Sequence, residues 1–438
     1  MAKGGKKRPR GSGRKRTGAS GGARTGAGRR DDPLSVDALA KAALKAAGEL
    51  LAIEDPLDAE DWASGLLGTF YKLPVPPDAR DELEGRLGPA LVRGAEGMRN
   101  ATGMAVLHAL AGVTGDELGA RAAAARMAAR GVPRPRWAEV IGTPEYLGGW
   151  TSRDFFGDQI GYYLTFRYPE RPPHMAVLLY DENLGGIIKD AFVAALGEGA
   201  DPRALVGQDP DVLVQDVDPA EAVARISAAI AMGDQFLDNA WTDDFKRTRA
   251  LLLARLRLLP AAELPEPPEL PDDDAQEALI QEFLASPLAP KGDETLAIVD
   301  HAVTARCDYG DGDPLRWSPV VVELFMLDYL PRKVTLSFAE INALPEVLRA
   351  WVRFALTRRG LEERFIVETE RAVDGFTPEF RKAVTDPENF GPAKAMLNAM
   401  RADGVDVMDQ SAVDAWLAHF NSLPDEARHS FFGRHIQD

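Results

Sequence analysis

The chain has 438 residues, of which 45% are hydrophobic, so it is long enough for two or three domains with separate cores. Its formal net charge is −17, and it contains a single cysteine. One cysteine excludes an internal disulfide and a zinc site made of several cysteines from this chain. No apolar run approaches the roughly 20 residues that cross a bilayer, and the N-terminus lacks the apolar stretch of a signal peptide. We therefore predict a cytoplasmic protein without a membrane contact.

The charge is distributed unevenly along the chain. Residues 1–30 contain eleven Lys or Arg residues and no acidic residue. Taking these eleven from the 51 basic residues leaves 40 against 68 acidic residues, so the rest of the chain carries −28. Residues 1–33 consist mainly of small and basic residues, with no bulky apolar side chain after Met1. Such a segment buries too little surface to offset its chain entropy, which predicts a disordered basic tail.

Cations on an extended chain can follow a phosphate backbone and release its counterions, so we predict that the tail contacts nucleic acid. The segment Pro9-Arg10-Gly11 followed by Arg14 resembles a degenerate AT-hook, whose arginines enter the minor groove, although Ser12-Gly13 separates the two arginines here. A solubilising tail, an arm that folds back on the acidic body and a tail without function remain open alternatives. The candidate nucleic-acid-binding residues are Lys6, Lys7, Arg8, Arg10, Arg14, Lys15 and Arg16.

Residues 34–132 predict a helical domain, because Leu34, Leu39, Leu44 and Leu51 recur at roughly helical spacing. Thr114 and Glu117 have the spacing of a capping box, which predicts a helix start at Thr114. Pro89 after Gly88 predicts another helix start. The helices predicted after the first one cover residues 59–71, 78–87, 89–99, 101–111 and 114–130.

Residues 133–259 predict an α+β domain. Residues 160–168 alternate between apolar and polar or small side chains, which is typical of a half-buried strand, and 175–180 is continuously apolar. The two segments predict a β-hairpin. The next segment, Leu184-Gly185-Gly186, is predicted to lead into a helix that ends at Leu196. A short strand is predicted at 212–215, and helices are predicted to begin at Asp218 and to cover 242–259.

The hairpin is the second candidate site, because charged residues cluster around the predicted strand ends. Asp154, Asp158, Asp181 and Lys189 are the weak catalytic candidates. The amides of Leu184-Gly185-Gly186 are a candidate anion site if a helix follows them. An enzyme requires a deep pocket that brings these carboxylates together and perturbs their ionisation. No cofactor motif or metal-ligand pattern accompanies these residues, so we predict neither a cofactor nor a metal.

Residues 260–274 contain five prolines and six acidic residues and predict an interdomain linker. Residues 275–438 return to helical periodicity, and Ser337 with Glu340 has the spacing of a capping box. Asp308, Asp311 and Asp313 are predicted to be solvated loop acids. The predicted fold class is mainly α with a small α+β segment: helical N-terminal and C-terminal domains flank a middle domain with a β-hairpin, and a disordered tail precedes them.

Residues 317–360, with Leu330-Pro331-Arg332-Lys333, resemble a segment of uncharacterised, large helical proteins from high-GC bacteria. That family implies no activity, cofactor or site. Three hypotheses therefore stay open. The first is a non-enzymatic helical scaffold whose basic tail contacts nucleic acid. The second is a helical scaffold that binds only protein partners. The third is an enzyme of unrecognised type with an acidic site near the hairpin.

Overall fold

The structure is a computed structural model, and it describes residues 36–72, 77–197, 199–235, 241–263 and 269–424. The predicted disordered tail, residues 1–33, lies outside these residues. The described chain is mostly helical, with one five-stranded antiparallel sheet in its middle, and this confirms the predicted fold class. Two separate hydrophobic cores form, one from residues between 36 and 259 and the other from residues between 280 and 384.

The N-terminal helices pack against one another and against the sheet. They are α1 (Val36–Ala46), α2 (Pro56–Leu67), α3 (Pro77–Met98), α4 (Ala101–Thr114) and α5 (Ala120–Ala128). Nearly all residues of helix α4 are buried, including Met104 and Leu107, so this helix lies at the centre of the group. The first core takes side chains from these helices and from the strands, as Leu107 and Leu164 illustrate.

Two predicted helix starts in this region are wrong. Helix α3 continues through Pro89, because Leu87 and Leu91 on either side of the proline are buried in the core and hold the helix together. Thr114 is the last residue of α4, and its hydroxyl donates to the carbonyl of Leu110 at 2.8 Å. It therefore caps no new helix, and α5 begins later, after Gly119 with φ of 67°.

Strands β1 to β4 form an antiparallel meander, and β5 crosses over to pair with β1, which gives the strand order β4-β3-β2-β1-β5. Strands β2 and β3 form the predicted hairpin, with Tyr163 opposite Val177, and β5 confirms the short strand predicted at 212–215. Strand β1 was not predicted. The strands are β1 (Glu145–Asp154), β2 (Gln159–Arg167), β3 (Pro173–Asp181), β4 (Ile187–Ala195) and β5 (Val212–Asp216).

The helix predicted between Gly186 and Leu196 is wrong, since this segment is strand β4. It pairs with β3 from His174 opposite Ala195 to Asp181 opposite Ile187, with a register shift between Leu179 and Tyr180. Pairing with a buried strand outweighs the weak local helix propensity of a short apolar segment. Gly185 and Gly186, with φ of 80° and 75°, form the tight turn that returns the chain along β3.

One face of the sheet packs against helices that follow it. Tyr162, Leu164 and Phe166 of β2 point into the first core, and helices α7 and α8 contact β4. Asp218 caps α7 by accepting from the amides of Ala220 and Glu221, as predicted. The helices of this part are α6 (Pro202–Val206), α7 (Pro219–Asp234) and α8 (Asp243–Leu256).

The C-terminal part is helical, as predicted, and has its own core around Trp317, Trp351 and Phe283. Ser337 and Glu340 form the predicted capping box. Helix α9 begins at Asp273, inside the predicted linker 260–274, of which residues 264–268 lie outside the described chain. The helices are α9 (Asp273–Ala285), α10 (Glu294–Tyr309), α11 (Pro319–Glu323), α12 (Leu330–Lys333), α13 (Phe338–Arg358), α14 (Glu363–Ala383), α15 (Pro392–Ala402) and α16 (Gln410–Ser422), with a π-helical turn at Leu324–Tyr329 between α11 and α12.

Candidate functional site

The hairpin candidates lie together at one end of the sheet, but they have different partners. Asp154, the last residue of β1, closes the turn to β2. Its carboxylate accepts from the amides of Gly157 at 2.7 Å, Asp158 at 3.2 Å and Gln159 at 2.8 Å. Three backbone donors occupy both carboxylate oxygens, so Asp154 shapes the turn.

Asp158 lies between the two cores. It is 8% exposed, and its carboxylate accepts from Nη1 of Arg316 at 2.6 Å. Burial raises the pKa of Asp158, while hydrogen bonds from Ser318 and Asn183 and the charge of Arg316 oppose that rise. Ser318 and Arg316 belong to the loop between α10 and α11, so this aspartate joins the sheet to the C-terminal helices.

Arg316 is the centre of this contact, and we call it and its partners the Arg316 joint. Its guanidinium donates to Asp158, to the side chain of Asn183 at 2.7 Å, and through Nε to Asp311. Asp311 also pairs with Arg306. The prediction that Asp311 is a solvated loop acid is wrong, because its side chain is 9% exposed between these two arginines.

Aromatic contacts extend the joint along the β1–β2 turn. Phe155 stacks on Phe365 of α14 with ring centroids 4.9 Å apart, and Phe156 meets the same ring edge-on at 5.4 Å. The guanidinium of Arg364 lies 4.3 Å above the ring of Phe365. The turn that Asp154 shapes is therefore a docking element for the C-terminal helices.

Asp181, at the end of β3, is 4% exposed and accepts from the side chain of Gln159 at 2.9 Å and the amide of Leu184 at 3.2 Å. Lys189 of β4 reaches it at 3.5 Å. The amides of Gly185 and Gly186 donate to the carbonyls of Glu182 and Asp181. These bonds occupy the turn amides and no helix follows them, so the predicted anion site is wrong.

A second polar cluster lies inside the first core, and sequence reasoning did not find it. Glu60 of α2 and Arg255 of α8 are both 0% exposed. Nη1 and Nη2 of Arg255 approach the two carboxylate oxygens of Glu60 at 3.2 and 2.5 Å. Glu60 also accepts from the hydroxyl of Tyr168 at 2.7 Å and the amide of Gly142 at 3.0 Å. We call these residues, together with His174, the core ionic cluster.

His174 of β3 completes this cluster. Its Nε2 accepts from Nε of Arg255 at 3.0 Å. Burial, with a contribution from the Arg255 charge, lowers the pKa of His174 to about 3. The imidazole is therefore neutral at pH 7. Burial and the Glu60 carboxylate also raise the pKa of Tyr168. The carboxylate of Glu60, the guanidinium of Arg255, the hydroxyl of Tyr168 and Nε2 of His174 all have partners inside the core, which favours a structural role.

The arginines of the body are largely neutralised by carboxylates. On α8, Arg247 pairs with Asp61 at 2.6 Å and Arg249 with Asp234 at 2.5 Å. On α13, Arg353 pairs with Glu370 at 2.7 Å. Further pairs join Arg349 to Asp374, Arg358 to Glu282 and Arg359 to Asp313. Neither helix therefore presents an unbalanced basic face to a phosphate backbone.

A different arrangement of cations occurs between α1 and α3. Lys41 and Lys45 of α1 and Arg93 of α3 are exposed and line a groove of about 660 Å³. Asp37 is the only acidic residue among the described residues that line it. The candidate cations of the tail, from Lys6 to Arg16, lie outside the described residues.

Comparisons with family models, with curated proteins and with solved structures find no match to this chain. The resemblance to helical proteins of high-GC bacteria therefore stays a prediction. Among the described residues, no three His, Cys, Asp or Glu side chains are grouped so that they could hold a metal ion. Over the same part of the chain, no helix is both long and apolar enough to cross a membrane.

Proposed function

We propose that this protein is a non-enzymatic, cytoplasmic helical scaffold whose basic N-terminal segment contacts nucleic acid. The separation of charge carries the proposal: residues 1–30 hold eleven cations and no acid, whereas the remaining residues carry −28. An acidic body is repelled by a phosphate backbone, so its attraction to nucleic acid must come from a separate basic element.

The ion pairs of the body support this division of roles. The arginines of α8 and α13 that would otherwise form basic faces have carboxylate partners. The carboxylates of the hairpin also have structural partners, in the Arg316 joint and in the β1–β2 and β3–β4 turns. These contacts favour a scaffold over an enzyme with an acidic site at the hairpin.

Binding of labelled duplex DNA and structured RNA across a salt series tests the proposal. The full chain is compared with a chain that lacks residues 1–33 and with a full-length variant in which the seven candidate cations are replaced by Gln. We expect both changes to remove most of the affinity and most of the dependence on salt. If all seven cations contact phosphates, the slope of log affinity against log salt changes by about 6 for duplex DNA.

The full-length Gln variant separates charge from chain length. If it binds as the unchanged protein does, the tail cations do not contact phosphates and the proposal is wrong. Equal, weak binding by all three proteins contradicts it as well, and favours a scaffold that binds only proteins.

A further inference from the structure

Three exposed cations, Lys41, Lys45 and Arg93, line the groove between α1 and α3. Helix α1 is the first described element, and in the sequence it begins six residues after Arg30, the last cation of the basic segment. Lys41 and Lys45 are four residues apart, which places them on the same face of α1, about 6 Å apart along its axis. Arg93 lines the groove from α3.

These three cations differ from most arginines of the body in their surroundings. None of them forms an ion pair with a described residue, whereas Glu82 and Glu96 of α3 are already paired with Arg86 and Arg126. The groove thus carries three cations and one acid, Asp37, on a body whose net charge is strongly negative.

The floor of the groove is apolar and closely packed. Leu44 of α1 and Met98 of α3 line it, and Leu44 lies so close to Gly94 that a Cβ at Gly94 would be 2.3 Å from its Cδ1. No aromatic side chain is present among the described lining residues. Proteins that bind single strands use aromatic side chains on which bases stack, so the groove lacks the main feature of a single-strand site.

We propose that Lys41, Lys45 and Arg93 continue the phosphate-contacting surface of the N-terminal segment onto the folded body, and that the ligand is a nucleic-acid duplex. The inference rests on the proposed function of that segment. The three cations contact phosphates at the surface of the duplex, in addition to those that the N-terminal segment contacts. This arrangement fixes where the duplex lies on an otherwise acidic body.

The test uses a full-length variant that keeps the tail, Lys41→Gln with Lys45→Gln and Arg93→Gln. The matched control, Lys291→Gln with Lys382→Gln and Arg401→Gln, removes three exposed cations from the C-terminal part. Affinity for a labelled DNA duplex is measured across a salt series. We expect the groove variant to lower the salt slope by about 0.9 for each lost contact, so by up to about 2.7, and the control to leave it unchanged.

The outcomes separate this inference from the proposed function. If deletion of residues 1–33 weakens binding but the groove variant behaves as its control does, the inference is wrong and the proposed function stands. If the unchanged protein binds structured RNA but no DNA duplex at low salt, the inference alone is wrong, and if it binds neither, both are wrong. Binding of a polyglutamate peptide is measured in parallel. If the groove variant loses the peptide and retains the duplex, the groove is a protein-binding site and the inference is overturned.

Discussion

Arg255 and Glu60 are 195 residues apart in the chain, and they form a two-pronged ion pair in the centre of the first core, where both side chains are 0% exposed. The pair joins α2 to α8, and Tyr168 and His174 join the same cluster to the sheet. The core ionic cluster therefore connects α2, α8 and the sheet through charged hydrogen bonds. Loss of one of its charged groups should lower the stability of the whole first core.

Glu60→Ala should strongly destabilise the protein. The substitution leaves the guanidinium of Arg255 in the core without its carboxylate, and the hydroxyl of Tyr168 loses its acceptor. Breaking one partner of a buried pair costs about 3–5 kcal/mol. The free energy of unfolding is measured by chemical denaturation.

Asp61 supplies the control, because it is adjacent to Glu60 and pairs with Arg247 at the surface, where the two side chains are 33% and 49% exposed. Asp61→Ala should cost less than about 1 kcal/mol. A second comparison uses Glu60→Leu with and without Arg255→Met. The double variant should be more stable than Glu60→Leu alone, since no uncompensated charge remains. Equal losses of stability from Glu60→Ala and Asp61→Ala would contradict the role assigned to the core ionic cluster.

His174 should make the protein less stable in mild acid. Its pKa is lowered to about 3 in the folded protein, whereas an unfolded histidine has a pKa near 6.5. Between these values the unfolded chain binds the additional proton. Stability is therefore complete above pH 6.5 and decreases as the pH falls toward 3, by up to about 1.4 kcal/mol per pH unit.

Denaturation at a series of pH values checks this expectation. His174→Gln should make the free energy of unfolding less dependent on pH. Part of the dependence should remain, because burial also lowers the pKa of His108 to about 4. His301→Gln serves as the control, because His301 lies on α10, outside the core ionic cluster. If His174→Gln and His301→Gln give the same pH dependence, His174 is not the source of the slope.

Local patterns in the sequence were sufficient for the hairpin and for the caps at Asp218 and Ser337, because those signals lie within a few residues of one another. They were insufficient for β4, where a short apolar segment is compatible with either a helix or a strand, and pairing with β3 decides between them. Pro89 shows the same limit, since burial of its neighbours keeps α3 continuous through it.

The polar clusters were harder to predict than the fold. Asp158 was singled out, but its partner Arg316 is 158 residues away and has no local signature. Glu60, His174 and Arg255 come from three distant segments, and charged side chains are rarely expected in a core. The cluster of cations in the tail could be found from the sequence alone, because it is a property of composition and does not depend on contacts in the folded protein.

Arg316→Met should loosen the contact between the two cores. The substitution removes the guanidinium that connects Asp158 and Asn183 to the C-terminal helices, and of the polar contacts of Asp158 with that part only the hydrogen bond from Ser318 remains. We expect amide hydrogen exchange in the turn 155–159 to become at least tenfold faster, which corresponds to about 1.4 kcal/mol or more. Mass spectrometry of peptides from this turn measures the change. Arg332→Met is the control, since Arg332 pairs with Asp328 at the surface, and an equal effect there would contradict the prediction.

Gly68→Ala should separate α2 from α8. A Cβ at Gly68 would lie 2.3 Å from the carbonyl oxygen of Lys246, and this backbone atom cannot move without displacing α8. Such overpacking costs about 1–3 kcal/mol. Gly375→Ala is the matched control, because Gly375 is exposed inside α14 and a Cβ added there would have nothing within 4 Å, so this change should stabilise the protein by about 0.5–1 kcal/mol. Thermal unfolding of both variants should therefore shift in opposite directions, and a gain in stability at Gly68 would show that the two helices are not packed as closely as the structure indicates.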